Sequence, residues 1–252
     1  MSDSFWLTEQ QFARLEAYLP NDTRGVPRVD DRRVISGIVH VLRSGCRWKD
    51  APVDYGPHKT LYNRFVRWRE KGVWQAAFTA LTAAGGPSAE VLLDSTHVKA
   101  HRSAAGGKGG GAFCQAIGIS RGGRNTKLHA VCDGHGRPLT FLLTGGNAAD
   151  APQALALLQA VPEGAIVMAD KAYDADAIRR FIESRSAVPN IPFKANRRWK
   201  GCFSPYLYRG RNAIERMFWR LKDFRRVATR YDKLAANFLA AVQIAALFAY
   251  WL

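Results

Sequence analysis

Cysteine is scarce in this chain, and Cys46, Cys114, Cys132 and Cys202 stand far apart with no C-x-x-C among them. That spacing excludes a zinc ribbon, offers no disulfide framework and predicts a reducing cytoplasm as the natural setting. Acid is the second shortage: 21 Asp and Glu face 37 Lys and Arg, a net charge of +16 over 252 residues. The segment after Met1 has no basic stretch leading into an apolar run, so no signal peptide is expected. No G-K-[ST] follows the glycines at 106–111, which excludes a phosphate-cradling loop and predicts a flexible one. One charge-free run approaches membrane length, the nineteen residues 234–252. It contains Asn237, Gln243 and seven alanines, and a basic segment leads into it. A helix buried across a core is therefore expected, and no membrane partner.

What the chain does have is positive charge, and each Lys or Arg that meets a phosphate releases condensed counterions. Nucleic acid is the partner this favours over an incidentally basic surface. The charge is concentrated: residues 194–230 carry twelve Lys or Arg and two acidic residues, interleaved with Trp199, Tyr206, Tyr208 and Trp219. Aromatic rings among cations suit stacking on bases at an opened DNA end.

The first eighty residues read as helices. Thr8 and Gln11 form a capping box ahead of Phe12, Leu15 and Leu19. A second helix starts near Asp30 and stops at Gly45. A third covers about 60–72 with Leu61, Phe65 and Trp68 at helical spacing, and a shorter fourth follows. Residues 83–88 (AAGGPS) read as a linker, dividing a helical unit, 1–84, from a second unit, 85–252. In the second unit, 90–93 is a short apolar strand ending at Asp94. Residues 126–132 and 138–143 flank a D-G-H-G turn and should form a hairpin. Residues 150–160 and 175–185 read as helices and 165–169 as a strand ending at Asp170. A last strand at 188–193 precedes a long basic helix from about 211. Strand, strand, strand, helix, strand, helix, strand, helix is the α/β order of a ribonuclease-H-like core, a mixed sheet with helices on both faces.

Two of these strands deliver an aspartate, and Glu215 lies on the basic helix. Hard divalent cations take oxygen ligands, and a pair of ions about 3.5–4 Å apart can hold both oxygens of a phosphoryl transfer. Singly, each acid has a plainer reading. Asp170 can cap the following helix, Asp174 and Asp176 can cap it better, and Glu215 can be a surface partner for nearby cations. On one continuous helix, Arg211, Glu215, Trp219, Lys222 and Arg226 fall on a single face. His97, Lys99 and His101 alternate away from the face of Asp94 and are not expected as ligands.

At these residues the sequence resembles the DDE transposases of bacterial insertion sequences, of the insertion-sequence-five type. The third-acid signature, Tyr-x2-Arg-x3-Glu-x6-Lys, stands as Tyr208, Arg211, Glu215 and Lys222 with every spacing kept. LLDSTHVKAH resembles the first-acid block and VMADKAYDAD the second, and FRRVATRYDKLAANFLA the tail. GVPRVDDRRVISGI, VLRSGCRWKDAP and YNRFVRWREKGVW resemble the attached helical domain.

The resemblance implies a ribonuclease-H-like core with Asp94, Asp170 and Glu215 as catalytic, metal-holding acids. It implies two Mg2+ ions, with Mn2+ as a substitute, and double-stranded DNA as substrate, both transposon ends and target. A strand would be cut at the element's end, leaving a 3′ hydroxyl that attacks the target without a covalent protein–DNA intermediate. Arg211 and Lys222 would hold phosphates, helped by Lys171 and Tyr208, with Trp219 and Arg226 as further DNA contacts. Residues 1–84 would bind the terminal inverted repeats in helix-turn-helix fashion, Arg64 and Arg67 reading the major groove. A homodimer or larger synaptic assembly in the bacterial cytoplasm, at the nucleoid, and no small-molecule substrate are also implied. Two other readings stay open: a nuclease or resolvase of the same fold that cuts without joining, and a non-catalytic DNA-binding regulator descended from a transposase.

Overall fold

Four helices open the chain in the computed structural model, which describes residues 4–20, 30–105 and 115–252. Helix α1, Glu9–Glu16, starts at the expected capping box, with Thr8 and Gln11 each accepting from the other's backbone N–H. Helix α2, Asp31–Ser44, starts where the Asp30 carboxylate accepts from the Arg32 and Arg33 N–H groups, and stops at Gly45 in a left-handed conformation (φ 77°). Helices α3, His58–Glu70, and α4, Val73–Ala83, follow. A side chain is forbidden at Gly37, where a Cβ would sit 2.7 Å from that of buried Tyr55. Glycine there lets the ring press onto α2.

Among the described residues the sheet has seven strands: β1 Glu90–Ala100, β2 Gly118–Ser120, β3 Gly123–Asp133, β4 Pro138–Gly145, β5 Ile166–Ala169, β6 Val188–Asn190 and β7 Thr229–Arg230. Its main path runs β2-β3-β1-β5-β6, with β4 on β3 and β7 on β1. Strands β1, β3 and β4 are antiparallel neighbours, while β5 and β6 continue in parallel from β1. Helices α5, Ala151–Leu157, and α6, Asp176–Ser184, cover one face. The other face carries α8, Asn212–Lys222, and α10, Ala235–Ala246, with α7, Pro205–Tyr208, and α9, Arg225–Ala228, as short connectors. This is the ribonuclease-H-like mixed sheet. Leu92, Leu128 and Met168 of the sheet share one apolar cluster with Leu15, Ile38 and Phe65 of the N-terminal helices.

Details go beyond the expectations. The apolar run 90–93 and the alternating stretch after Asp94 form one strand to Ala100, because β3 stays paired with it as far as Lys99↔Asn125. Strands β2 and β7, three and two residues long, are too short to show a period. The long basic helix is two helices: α8 ends at Lys222, Phe224 is extended (φ −77°, ψ 101°), and α9 begins at Arg225. The glycine-rich stretch 106–111 lies outside the described residues.

The uncharged tail is buried as expected. Asn237 and Gln243 are 4% and 5% exposed, and each is satisfied inside: Arg69 Nε donates to Asn237 Oδ1 at 2.9 Å, and Gln243 bonds Gln75. Among the described residues no helix is long and apolar enough to cross a membrane. Phe238, fully buried between α10 and the sheet side, sets the strength of this docking. Phe238→Ala should lower unfolding free energy by about 3–5 kcal/mol in a denaturant titration; a loss under about 1 kcal/mol would mean α10 is loosely seated.

Candidate active site

The register of β1 and β5 brings two acids level. Their parallel pairing runs from Glu90↔Ile166 to Leu93↔Ala169, so Asp94 and Asp170 each hold the next position along. Side chains alternate between the faces of a sheet. Leu92 and Met168 point into the cluster under α8 and α10, and Leu93 and Ala169 into the opposite one. Asp94 therefore returns to the face of Leu92. Asp170, still extended at φ −76°, ψ 173°, returns to that of Met168. Strand β5 leaves β1 at this point, and β7 joins the same edge only at Lys99. The two acids stand in that gap.

Helix α8 lies across the same face. Its apolar stripe, Ile214, Met217, Phe218 and Leu221, is buried, and Lys222 Nζ donates to Thr96 Oγ1 at 2.7 Å. Glu215, half exposed, is tied to Asp94 through Arg211, which ends the turn before α8. The Arg211 guanidinium donates from Nη2 to Asp94 Oδ2 at 2.6 Å and from Nη1 to Glu215 Oε1 at 2.8 Å. Its Nε is buried without a partner. Asp170 accepts from the Ala172 N–H at 2.9 Å, so the plainer reading of it as a cap is literally present.

Charge is short of balance here. Burial pushes the Asp94 carboxyl up to about 6, and the fields of Asp170 and Glu215 push the same way, against Arg211 and the Ser95 N–H. Burial likewise lowers Lys222. Among the described residues no group of three or more His, Cys, Asp or Glu is placed to hold a metal ion as it stands. The Arg211 guanidinium stands between two of the acids, bonded to each. The donor set still fits a hard divalent cation. Asp170 and Glu215 stand near enough to raise the Asp94 carboxyl, which resists ionising even beside Arg211.

The remaining sequence-predicted residues divide. Tyr208 is half-buried with Arg211 over its ring, 6.0 Å from the centroid. Trp219 is 74% exposed, and Lys171 and Arg67 are exposed as well. Arg226 is not on this face. Because α8 stops before it, Arg226 turns inward, 7% exposed, donating to the Cys46 carbonyl at 2.8 Å with Trp48 and Tyr231 against its guanidinium. Arg64 is also committed: it bonds Asp31 at 2.6 Å and lies over Trp68, its side chain 11% exposed. A phosphate or base edge would have to break that pair. Neither Asp174 nor Asp176 caps α6; Asp174 is buried and accepts from Arg179, Arg197 and the Lys194 N–H. His97 and Lys99 are exposed on the face away from Asp94, as alternation requires. Sequence reasoning passed over Asp150, Lys127 and His129, which meet behind Asp94. The available signal was Lys127 and His129 alternating within an otherwise apolar strand.

Residues 85–252 match the family model described as "Transposase DDE domain". The chain belongs to the transposase DDE domain family. Residues 7–78 match a second model, "Putative transposase of IS4/5 family (DUF4096)". A relative from Brucella ovis, named "Putative transposase for insertion sequence element IS6501", is 40% identical over 133 residues, 48% of this chain and 93% of the relative. One from Burkholderia cepacia, named for insertion sequence element IS402, is 31% identical over 121 residues, 44% of this chain and 55% of the relative. Among solved structures, the piggyBac transposase synaptic complex with hairpin DNA superposes with a TM-score of 0.52 at 12% identity, over 95% of this chain and 70% of that one. That likeness is one of fold. As a DDE transposase of an insertion sequence, the chain is an enzyme of DNA cleavage and transfer.

Proposed function

We propose that this transposase binds the terminal inverted repeats of its insertion sequence, cuts at those ends and joins them to target DNA, with Asp94, Asp170 and Glu215 as its catalytic acids. The observation that carries this is the register: one parallel pairing sets Asp94 beside Asp170, on the face that the helix of Glu215 crosses. The three acids would hold divalent ions, Mg2+ or Mn2+ in its place and two in number, which would supply Lewis-acid stabilisation and an activated water.

The chain's own part is to hold DNA against these acids. Lys222, fixed by Thr96 two residues from Asp94, is set to grip a phosphate beside the scissile one. Arg211 is the second phosphate ligand, once it is released from the acids. Tyr208 supports it, and exposed Lys171 and Trp219 extend the contact along the strand. Residues 1–84 form the end-binding unit in this reading, with α3 entering the major groove through Arg67, and 85–252 the catalytic unit. Because the two share a core, the first is seated on the second. Two ends are brought together by a dimer or larger assembly.

A strand-transfer assay tests the function. A pre-cut end duplex, taken from the DNA flanking the coding region, should be joined to a target plasmid in Mg2+. Hydrolysis without joining would make the chain a nuclease. For Lys222→Ala, end binding should weaken and the slope of log K against log salt should shrink by about 0.9, one phosphate contact. An unchanged slope removes Lys222 from the DNA interface.

A further inference from the structure

Behind Asp94, on the opposite face of β1, lies a polar cluster that the catalytic reading does not use. Asp150, just ahead of α5, accepts from Ser95 Oγ at 2.7 Å and pairs with Lys127 Nζ at 3.1 Å. The Lys127 side chain is 8% exposed and that of Asp150 25%; Lys127 also donates to the Ala148 carbonyl at 2.7 Å. His129 is fully buried with Nδ1 3.6 Å from Asp150. Burial lowers its pKa to about 4, so the ring adds no charge at neutral pH. The buried Tyr173 hydroxyl, three residues after Asp170, lies beside Ser95 and Asp150.

Stability alone is a poor reason for such an arrangement. Replacing a buried ion pair by apolar side chains of similar volume is often neutral or stabilising. Position is a better one. The Ser95 N–H donates to Asp94 Oδ1 at 2.8 Å, while the Ser95 hydroxyl is held by Asp150. Ser95 thus donates twice, its hydroxyl to Asp150 and its backbone N–H to Asp94, so Asp150 bears on the Asp94 carboxylate through the placement of Ser95, and Lys127 fixes the far end. The same cluster touches the turn that carries Asp170, through Tyr173.

The geometry points to Asp150 as a positioning residue that aims the Asp94 carboxylate through Ser95, with Lys127 anchoring Asp150. The inference rests on the reading of Asp94 as a metal-holding acid. Partners one shell out from a metal ligand typically govern affinity or activity by 10–100-fold.

The test is Mn2+ titration, followed by electron paramagnetic resonance, of the full chain bound to a duplex from the DNA flanking its coding region. Ser95→Ala should raise the half-saturating Mn2+ concentration roughly 10–100-fold with DNA affinity unchanged, and Ser95→Thr, which keeps the hydroxyl, should restore it. The double variant Lys127→Met with Asp150→Leu should keep its melting temperature and show the same weakened uptake. A merely structural pair would leave Mn2+ uptake alone, so wild-type titrations in Ser95→Ala overturn the proposal. If the double variant fails to fold, the two Ser95 variants decide. Wild-type protein that takes up no Mn2+ on DNA sinks the metal-dependent reading itself, and this inference with it.

Discussion

Asp94→Asn should reduce end cleavage by about 10²–10³-fold or more, the scale of losing one preorganised stabilising group at a reacting centre, while leaving end binding intact. The same substitution should not destabilise the fold. Burial raises the folded pKa of Asp94 from 3.8 to about 6, so the charged carboxylate is less favourable folded than unfolded, even with Arg211 beside it. The sign follows from linkage: an acid whose folded pKa is raised costs stability as pH climbs from its unfolded value through its folded one. Wild-type protein should thus lose stability between about pH 4 and pH 6 relative to Asp94→Asn, and the two should converge at lower pH. Thermal melts across that range check the stability, and a gel assay of end cleavage checks the chemistry. Cleavage at the wild-type rate by the variant would take Asp94 out of the mechanism.

Much of the candidate site was legible because strands and spacing are local properties. Apolar runs closing on Asp94 and Asp170 marked two strands, and parallel pairing of those strands makes neighbours of residues far apart in sequence. The Tyr-Arg-Glu-Lys spacing fixed the helix that faces them. What the sequence could not show was where that helix ends. A continuous helix would carry Arg226 on the face of Glu215, but the extended Phe224 turns the chain and sends Arg226 into the core, against the Cys46 carbonyl. Arg64 is held for a related reason: its partner Asp31 lies on another helix, and nothing local to α3 signals that contact. Asp150 escaped because it reads as the first residue of the helix 150–160, and its side chain caps nothing in α5. Its partners come from β1 and β3, so only the assembled sheet reveals it. The same long-range character explains Lys127: a lysine inside a strand is expected to reach solvent, unless a carboxylate waits beneath the sheet.

The second large effect concerns Arg211, whose guanidinium holds the place a cation would take. Bonded at 2.6 Å to Asp94 and at 2.8 Å to Glu215, it sets one positive charge against two acids, and any divalent ion entering between them must displace it. A DNA phosphate is the natural agent, since it offers the guanidinium a bidentate anionic partner in exchange. DNA-free protein should therefore bind Mn2+ weakly, and addition of end duplex should strengthen uptake. Arg211→Gln removes the competing charge and leaves two carboxylates uncompensated. Its Mn2+ affinity without DNA should rise tenfold or more, about 1.4 kcal/mol. That is a modest share of the roughly 4 kcal/mol by which unit charges 4 Å apart interact near a protein surface. End cleavage should nevertheless fall, because the variant has lost a phosphate ligand. Gain of metal with loss of cutting is a combination that general damage to the fold does not produce. Calorimetric Mn2+ titration of both proteins, with and without duplex, reads it directly. If DNA-free wild type takes up Mn2+ as tightly as Arg211→Gln does, the guanidinium is no barrier, and the acids are already free to gather around an ion.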